Sequence, residues 1–451
     1  MRIRFFLAAA LVTAAAACNN PLDLKPAGSI PESSAITDAV GARAALFGAY
    51  GGLQSLSYYG EDFPIFLDLS ADNSEHTGTL TSFGDADLNE LRADNETIAG
   101  IWIAIYDDIN RVNEIIAKVP QVPNLDPDEM HEIIGEAYFL RALNYHNLVK
   151  LFGGVPLRLT PATSISDPTG STRATVADTY TQILKDLDSA QAFISNPNQT
   201  TQASLGAVMA LRARVLLYEG DYPGALTAAK AVEDLGQYSL APNFSDLFAE
   251  DGSPTPEDIF RIIFTAQQFN NLSFYYLFDG RYEVAPTTDL MHDFDPSFDP
   301  SGDVADYDPV DKRGQWSISI EDDTQEGTKF RSVQGTEYPH VIRFGEVLLI
   351  RAEAEARVGS LDTARVKVNE IRARRACADR LAVANGHAQY HHRRTPQGAG
   401  IRGRSVAGLG AAGIGDDRAR HSGAADVVSD PAARNRCHPG VDAESRILIA
   451  P

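Results

Sequence analysis

The chain is short of cysteine: it has three in 451 residues, and Cys18 is the only one before Cys377. No disulfide can therefore form within residues 19–376, and a fold over that stretch must rest on a buried core. Long apolar runs are also missing. The apolar stretch near the N-terminus, Phe5–Ala17, has thirteen residues before Cys18, too few to span a bilayer. Lysine disappears after Lys367. Positive charge is scarce as well, with 39 Lys+Arg against 61 Asp+Glu and a net charge of -22. Residues 1–370 alone carry 26 against 54, a surplus that repels nucleic acid. Signatures of catalysis are absent too: no G-x-S-x-G, Walker A or H-E-x-x-H occurs.

What is present begins with an export signal. Arg2 and Arg4 precede the apolar stretch, and "AAAC" places Cys18 where a lipoprotein signal peptidase would leave a thiol for acylation. Residues 1–17 read as signal peptide and 18–36, rich in Pro and Ser, as a tether. From Thr37 onward helical periodicity dominates. Trp102, Ile105, Tyr106, Ile109, Val112 and Ile116 fall on one face, interrupted by Asn110 and Asn113, and Trp102 is expected in the core. A second helix, "HEIIGEAYFLRALNYHNLVKLFGG", is apolar on most faces and closes on two glycines.

Two later stretches repeat at an offset of 139. Arg212 falls on Arg351, Ala213 on Ala352, Gly220 on Gly359 and Ala225 on Ala364. Each predicts a helix, a glycine turn and a second helix, the pattern of a tetratricopeptide-like hairpin. The expected fold is mostly α, with such hairpins, long irregular loops and a few short strands. The loops fall at about 240–340, where only runs such as "IFRIIF" look like strand.

In order, "CNNPLDLKP", "GAYGGL", "WIAIYDDINRVNEII", "GEAYFLRALNYHNLVKLFGGVPL" and "RFGEVLLIRAEAEARVG" resemble successive segments of the SusD/RagB family, over about residues 18–374. The resemblance implies an outer-membrane lipoprotein, anchored through Cys18 and facing the cell exterior. It also implies a role in polysaccharide utilization, capturing a nutrient, a glycan above all, for a SusC-like TonB-dependent transporter barrel. Binding without catalysis and without a cofactor is implied. A structural helical-repeat adaptor of the envelope with no small ligand is the alternative, and a glycan hydrolase with an unrecognised carboxylate pair is a third reading.

Sugar recognition needs exposed aromatic faces beside Asp, Asn or Arg. Tyr58, Tyr59, Asp72, Asn73, Tyr275, Tyr276 and Trp316 are the expected ligand contacts. Seven Asp between Asp293 and Asp311 offer hard oxygen donors for Ca²⁺, although EF-hand spacing is lacking.

Residues 375–451 differ from the rest, with 77 residues that include "YHHRRTPQGAGIRG" and little apolar periodicity. Family members end in a helix resembling "ERRKELAFEG", and a one-base shift of the codons behind His391–Gly403 permits that motif. This tail therefore reads as out of frame and disordered. Loss of the family helix is expected to expose an apolar groove at Leu348, Leu349 and Ala352. Within the tail, "GLGAAG" lacks a βαβ context, and Cys377, His387, Cys437 and His438 fit no standard zinc spacing.

Overall fold

A computed structural model describes residues 36–162 and 172–374. Cys18 with the signal and tether, and the whole of 375–451, lie outside the described residues. Helix α1 (Ala39–Leu53) starts where Asp38 accepts a hydrogen bond from the Gly41 N–H at 2.8 Å, a side-chain N-cap. A π-turn at Leu56–Gly60 leads to α2 (Asp62–Ser70), strand β1 (Ser74–His76) and α3 (Thr81–Asp87). Helix α4 (Glu96–Lys118) is capped by Asn95, and α5 (Pro127–Phe152) by Asp126 with proline at its first position. Gly153, at φ 70°, ends α5.

Helix α5 is the central element, because Phe139, Leu140, Leu143 and Tyr145 are all fully buried. On one side it meets Ile101, Ile105, Ile109 and Val112 of α4, and on the other α6 (Val176–Phe193). The arginine it buries is paired: Arg141 donates through Nε and Nη2 to the two Asp186 oxygens at 2.9 and 2.7 Å. Such a fork satisfies both ions where water cannot.

Both repeats fold as hairpins. Helices α7 (Leu205–Glu219) and α8 (Tyr222–Asp234) turn at Gly220, φ 88°. The irregular region then contributes β2 (Asp258–Arg261), α9 (Leu272–Tyr276), β3 (Val284–Pro286), α10 (Thr288–Phe294), α11 (Lys312–Ser317), β4 (Ile318–Glu321), β5 (Thr324–Gly327) and β6 (His340–Arg343). Its strands form three two-stranded antiparallel pairs, β1 with β3, β2 with β6 and β4 with β5. Helices α12 (Phe344–Arg357) and α13 (Leu361–Ala373) make the second hairpin, turning at Gly359, φ 96°. Ala225 and Ala364, equivalent in the repeat, are both buried where their helices pack closely. Arg351 of α12 reaches Glu233 of α8 at 2.7 Å, tying one hairpin to the other.

The groove expected on α12 does not exist as drawn. Leu348 and Ala352 are 1% and 4% exposed and Leu349 is half-buried, because this face of α12 packs on α8 and α7. Nor do the aspartates of 293–311 converge on a cation. Asp295, Asp299, Asp303 and Asp311 each accept a hydrogen bond from the backbone N–H two residues ahead, at 2.9–3.0 Å, and Asp311 also pairs with Arg313. Their carboxylates are spread along the loop as local turn caps. Among the described residues no group of three or more His, Cys, Asp or Glu could hold a metal ion.

Candidate functional site

The loop aromatics chosen from sequence are mostly structural. Tyr58 and Tyr59 are 0% and 1% exposed, with ring centroids 4.5 Å apart and both edge-on to Phe63. Asn147 Nδ2 donates to both phenol oxygens, at 2.6 and 2.8 Å, and Tyr58 donates to Asn144 Oδ1 at 2.9 Å. Burial pushes the Tyr59 phenol up to about 12. Their polar flanks, "SLSYYGED", suggested a surface loop, but the π-turn rotates both rings into the core. They cannot present faces to a ligand.

Tyr275 is also buried, edge-on to Phe83 at 5.7 Å. Tyr276 is half-buried and donates to Asp68 Oδ2 at 2.8 Å. Asn73 is buried, its carbonyl accepting from the Thr287 N–H, while Asp72 is exposed at φ 58° and its carbonyl accepts from the Thr287 hydroxyl. Trp316 is half-buried and packs against the small cluster around Phe244 and Phe248, with the Arg331 guanidinium 3.6 Å above its ring. Of the expected contacts, Asp72, Tyr276 and Trp316 keep accessible surface, and Trp316 packs on a different cluster from Tyr276.

A better site lies where α4 faces the chain leaving α5. There a cavity of about 330 Å³ opens between Trp102, Tyr106, Asp107 and Asn110 on one side and Arg158 and Thr160 on the other. Positions 102, 106, 110 and 113 recur every three or four residues, so one face of α4 carries them all. Trp102 is half-buried rather than enclosed in the core. Its ring sits 4.8 Å from Tyr106 and 4.9 Å edge-on to Phe152, and it lines the opening.

The opposite wall is irregular chain held by side chains. Tyr106 donates to the Pro156 carbonyl at 2.7 Å, Asn113 Nδ2 donates to the carbonyls of Arg158 and Thr160 at 3.0 and 3.2 Å, and the Ala162 N–H donates to Asn110 Oδ1 at 2.9 Å. With its backbone satisfied in this way, the segment projects Arg158 into the cavity. Burial raises the Tyr106 phenol above its ordinary range, opposed by the charges of Arg158 and Arg173. Among the described residues, the Asp107 carboxylate, the Asn110 amide N–H₂ and the Arg158 guanidinium make no hydrogen bond or ion pair with protein.

An aromatic floor beside a free carboxylate, amide and guanidinium can hold a sugar, with C–H groups on the rings and hydroxyl pairs on the planar polar groups. Glycoside hydrolysis would need two carboxylates flanking the bond, and Asp107 is the sole carboxylate among the described residues lining the cavity. Sequence reasoning named Trp102, Tyr106, Asn110 and Asn113 only as a helix face with polar interruptions. Those interruptions were the available signal, because two amides on the apolar face of a long helix must answer to something other than the core.

Two family profiles match, one described as starch-binding, associating with the outer membrane, over residues 52–217, the other as the SusD family, over residues 320–390. Together they span more than half of the chain. The chain is 28% identical to the SusD-like protein P38 of Formosa agariphila over 301 residues, 62% of this chain and 58% of that one. It is 25% identical to the SusD-like protein P2 of the same organism over 401 residues, 78% of each chain. A solved SusD superfamily protein from Bacteroides vulgatus superposes with a TM-score of 0.66 at 22% identity, covering 75% of this chain and 80% of the other. In signature segments, helical-hairpin architecture and matched profiles alike, the chain belongs to the SusD/RagB family.

Proposed function

We propose that this chain is a saccharide-capture protein that binds a glycan in the Trp102–Arg158 cavity without chemically altering it. The observation that carries the reading is the accessible Trp102 and Tyr106 faces beside polar groups that have no protein partner among the described residues. The starch-binding description of the matching family supports it. Anchoring through Cys18 at the outer membrane, outward display and hand-over to a SusC-like TonB-dependent barrel complete the proposal. They draw on the lipobox-like "AAAC" and on the family's association with the outer membrane.

Trp102→Ala tests the site. Base–aromatic and sugar–aromatic contacts differ in detail, but losing an aromatic platform of this kind should weaken oligosaccharide binding by about tenfold or more. Calorimetry with a panel of neutral and acidic oligosaccharides reads the effect, and circular dichroism checks that helicity is kept. Undiminished binding in the variant would move the site elsewhere. Absence of any binding in the parent protein would favour the adaptor reading.

A further inference from the structure

The charge around the cavity points to a narrower ligand class. Arg158 lines it, and the charges of Arg158 and Arg173 both act on the Tyr106 phenol that forms part of its wall. Arg173 is anchored, Nη1 donating to the Phe152 carbonyl at 3.0 Å, and its exposed guanidinium, like that of Arg158, meets no carboxylate among the described residues. Among the described residues that line the cavity itself, Arg158 is the one cation and Asp107 the one acid. The lining is thus even in charge, with Arg173 close by, where residues 1–370 as a whole carry 26 Lys+Arg against 54 Asp+Glu.

Elsewhere in the molecule buried or half-buried guanidiniums are consumed by acids: Arg141 by Asp186, Arg214 by Glu346, Arg313 by Asp311 and Arg343 by Glu257. Arg158 departs from that habit while its own main chain is among the most firmly held in the region. Tyr145 accepts from its N–H and donates to its carbonyl, both at 2.7 Å, and Asn113 donates to the same carbonyl. A guanidinium fixed at its root and, among the described residues, unpaired at its tip is prepared for a planar anion, which it can grip through two parallel N–H donors.

Resting on the saccharide reading above, we propose that the cavity takes an acidic sugar unit, its carboxylate or sulfate ester on Arg158 and its ring against Trp102 and Tyr106. Because the body of the protein is strongly acidic, long-range attraction does not draw such a ligand in. Recognition is by short contact, and salt should weaken it less than it weakens a field-steered encounter.

Calorimetry on the full mature protein with tetragalacturonate, a sulfated neocarratetraose and neutral maltotetraose decides the matter. One of the two acidic probes should bind about tenfold or more tightly than maltotetraose, and which one does so separates carboxylate from sulfate as the anion. Arg158→Ala should remove that preference, bringing the acid-to-neutral affinity ratio to about one, whatever the loss of a hydroxyl contact does to neutral binding itself. Arg158→Lys should recover only part of the preference, since a point charge lacks the fork. Among the described residues the Arg158 side chain has no hydrogen-bond or ion-pair partner to hold in place, so thermal melting should be unchanged in both variants. Maltotetraose binding as tightly as either acid, or an acid-to-neutral ratio unmoved by Arg158→Ala, would overturn the inference and leave the saccharide reading standing. Binding of none of the three would bring down both.

Discussion

Tyr145 and Arg158 are bonded to each other twice: the Arg158 N–H donates to the phenol oxygen at 2.7 Å, and the phenol donates back to the Arg158 carbonyl at 2.7 Å. A fully buried ring on the central helix thereby acts as the partner strand that this segment lacks. Tyr145→Phe leaves both backbone groups without that partner. It should cost about 1–3 kcal/mol of stability and weaken saccharide binding, because the wall carrying Arg158 loosens. Urea unfolding and calorimetry on the same variant check the two effects, and unchanged binding would show that Asn113 alone suffices to hold the wall.

Asp108 makes stability depend on pH. Burial is the main cause that lifts its carboxyl from an ordinary 3.8 to about 7, with the hydrogen bond from Asn144 Nδ2 at 2.7 Å opposing. Its Oδ1 has no hydrogen-bond partner among the described residues and lies beside Gly52. Between pH 4 and 7 the folded state holds the proton that the unfolded chain has lost, so ionisation erodes stability as pH rises and the deficit stays constant above 7. Asp108→Asn removes this dependence. The variant should match the parent near pH 4 and exceed it by more than about 1 kcal/mol at pH 8. His146, which burial holds well below its ordinary range, destabilises the fold as pH falls below about 6.5. That contribution is common to both proteins and cancels in the difference. Urea midpoints at the two pH values provide the test.

Gly220 and Gly359 occupy the same place in the two hairpins, at φ 88° and 96°, and an added Cβ would meet nothing within 4 Å at either. Substitution by alanine therefore costs only backbone strain, roughly 1–2 kcal/mol at each site. Gly135→Ala should behave differently, because its Cβ would come within 2.8 Å of Ile194 Cγ1. Thermal melts of the three variants should show two near-equal losses, and relaxation by a compensating repack should be possible only for Gly135.

Cys18→Ala tests the proposed anchor. Without an acylated thiol the protein should leave the membrane fraction and fail to incorporate labelled palmitate. Unchanged fractionation and labelling would end the lipoprotein reading.

Periodicity alone was enough for the helices, because a helix buried on one face must repeat its apolar residues every three or four positions, as Ile101, Ile105, Ile109 and Val112 do. The paired glycines were legible for a similar reason: their positive φ is a local demand that one residue type meets without strain. The 139-residue repeat and the fold class followed from these local rules. Side-chain exposure in irregular chain did not. Tyr58 and Tyr59 turn inward because Asn144 and Asn147, 85 or more positions away, supply their hydrogen bonds. The aspartates of 293–311 cap their own turns instead of sharing a cation, which depends on backbone geometry that composition does not encode. The cavity likewise exists only once α4 and the chain after α5 are brought together. Trp102 and Arg158 are 56 positions apart and no local pattern links them, so packing alone decided that an aromatic face and a guanidinium would share one opening.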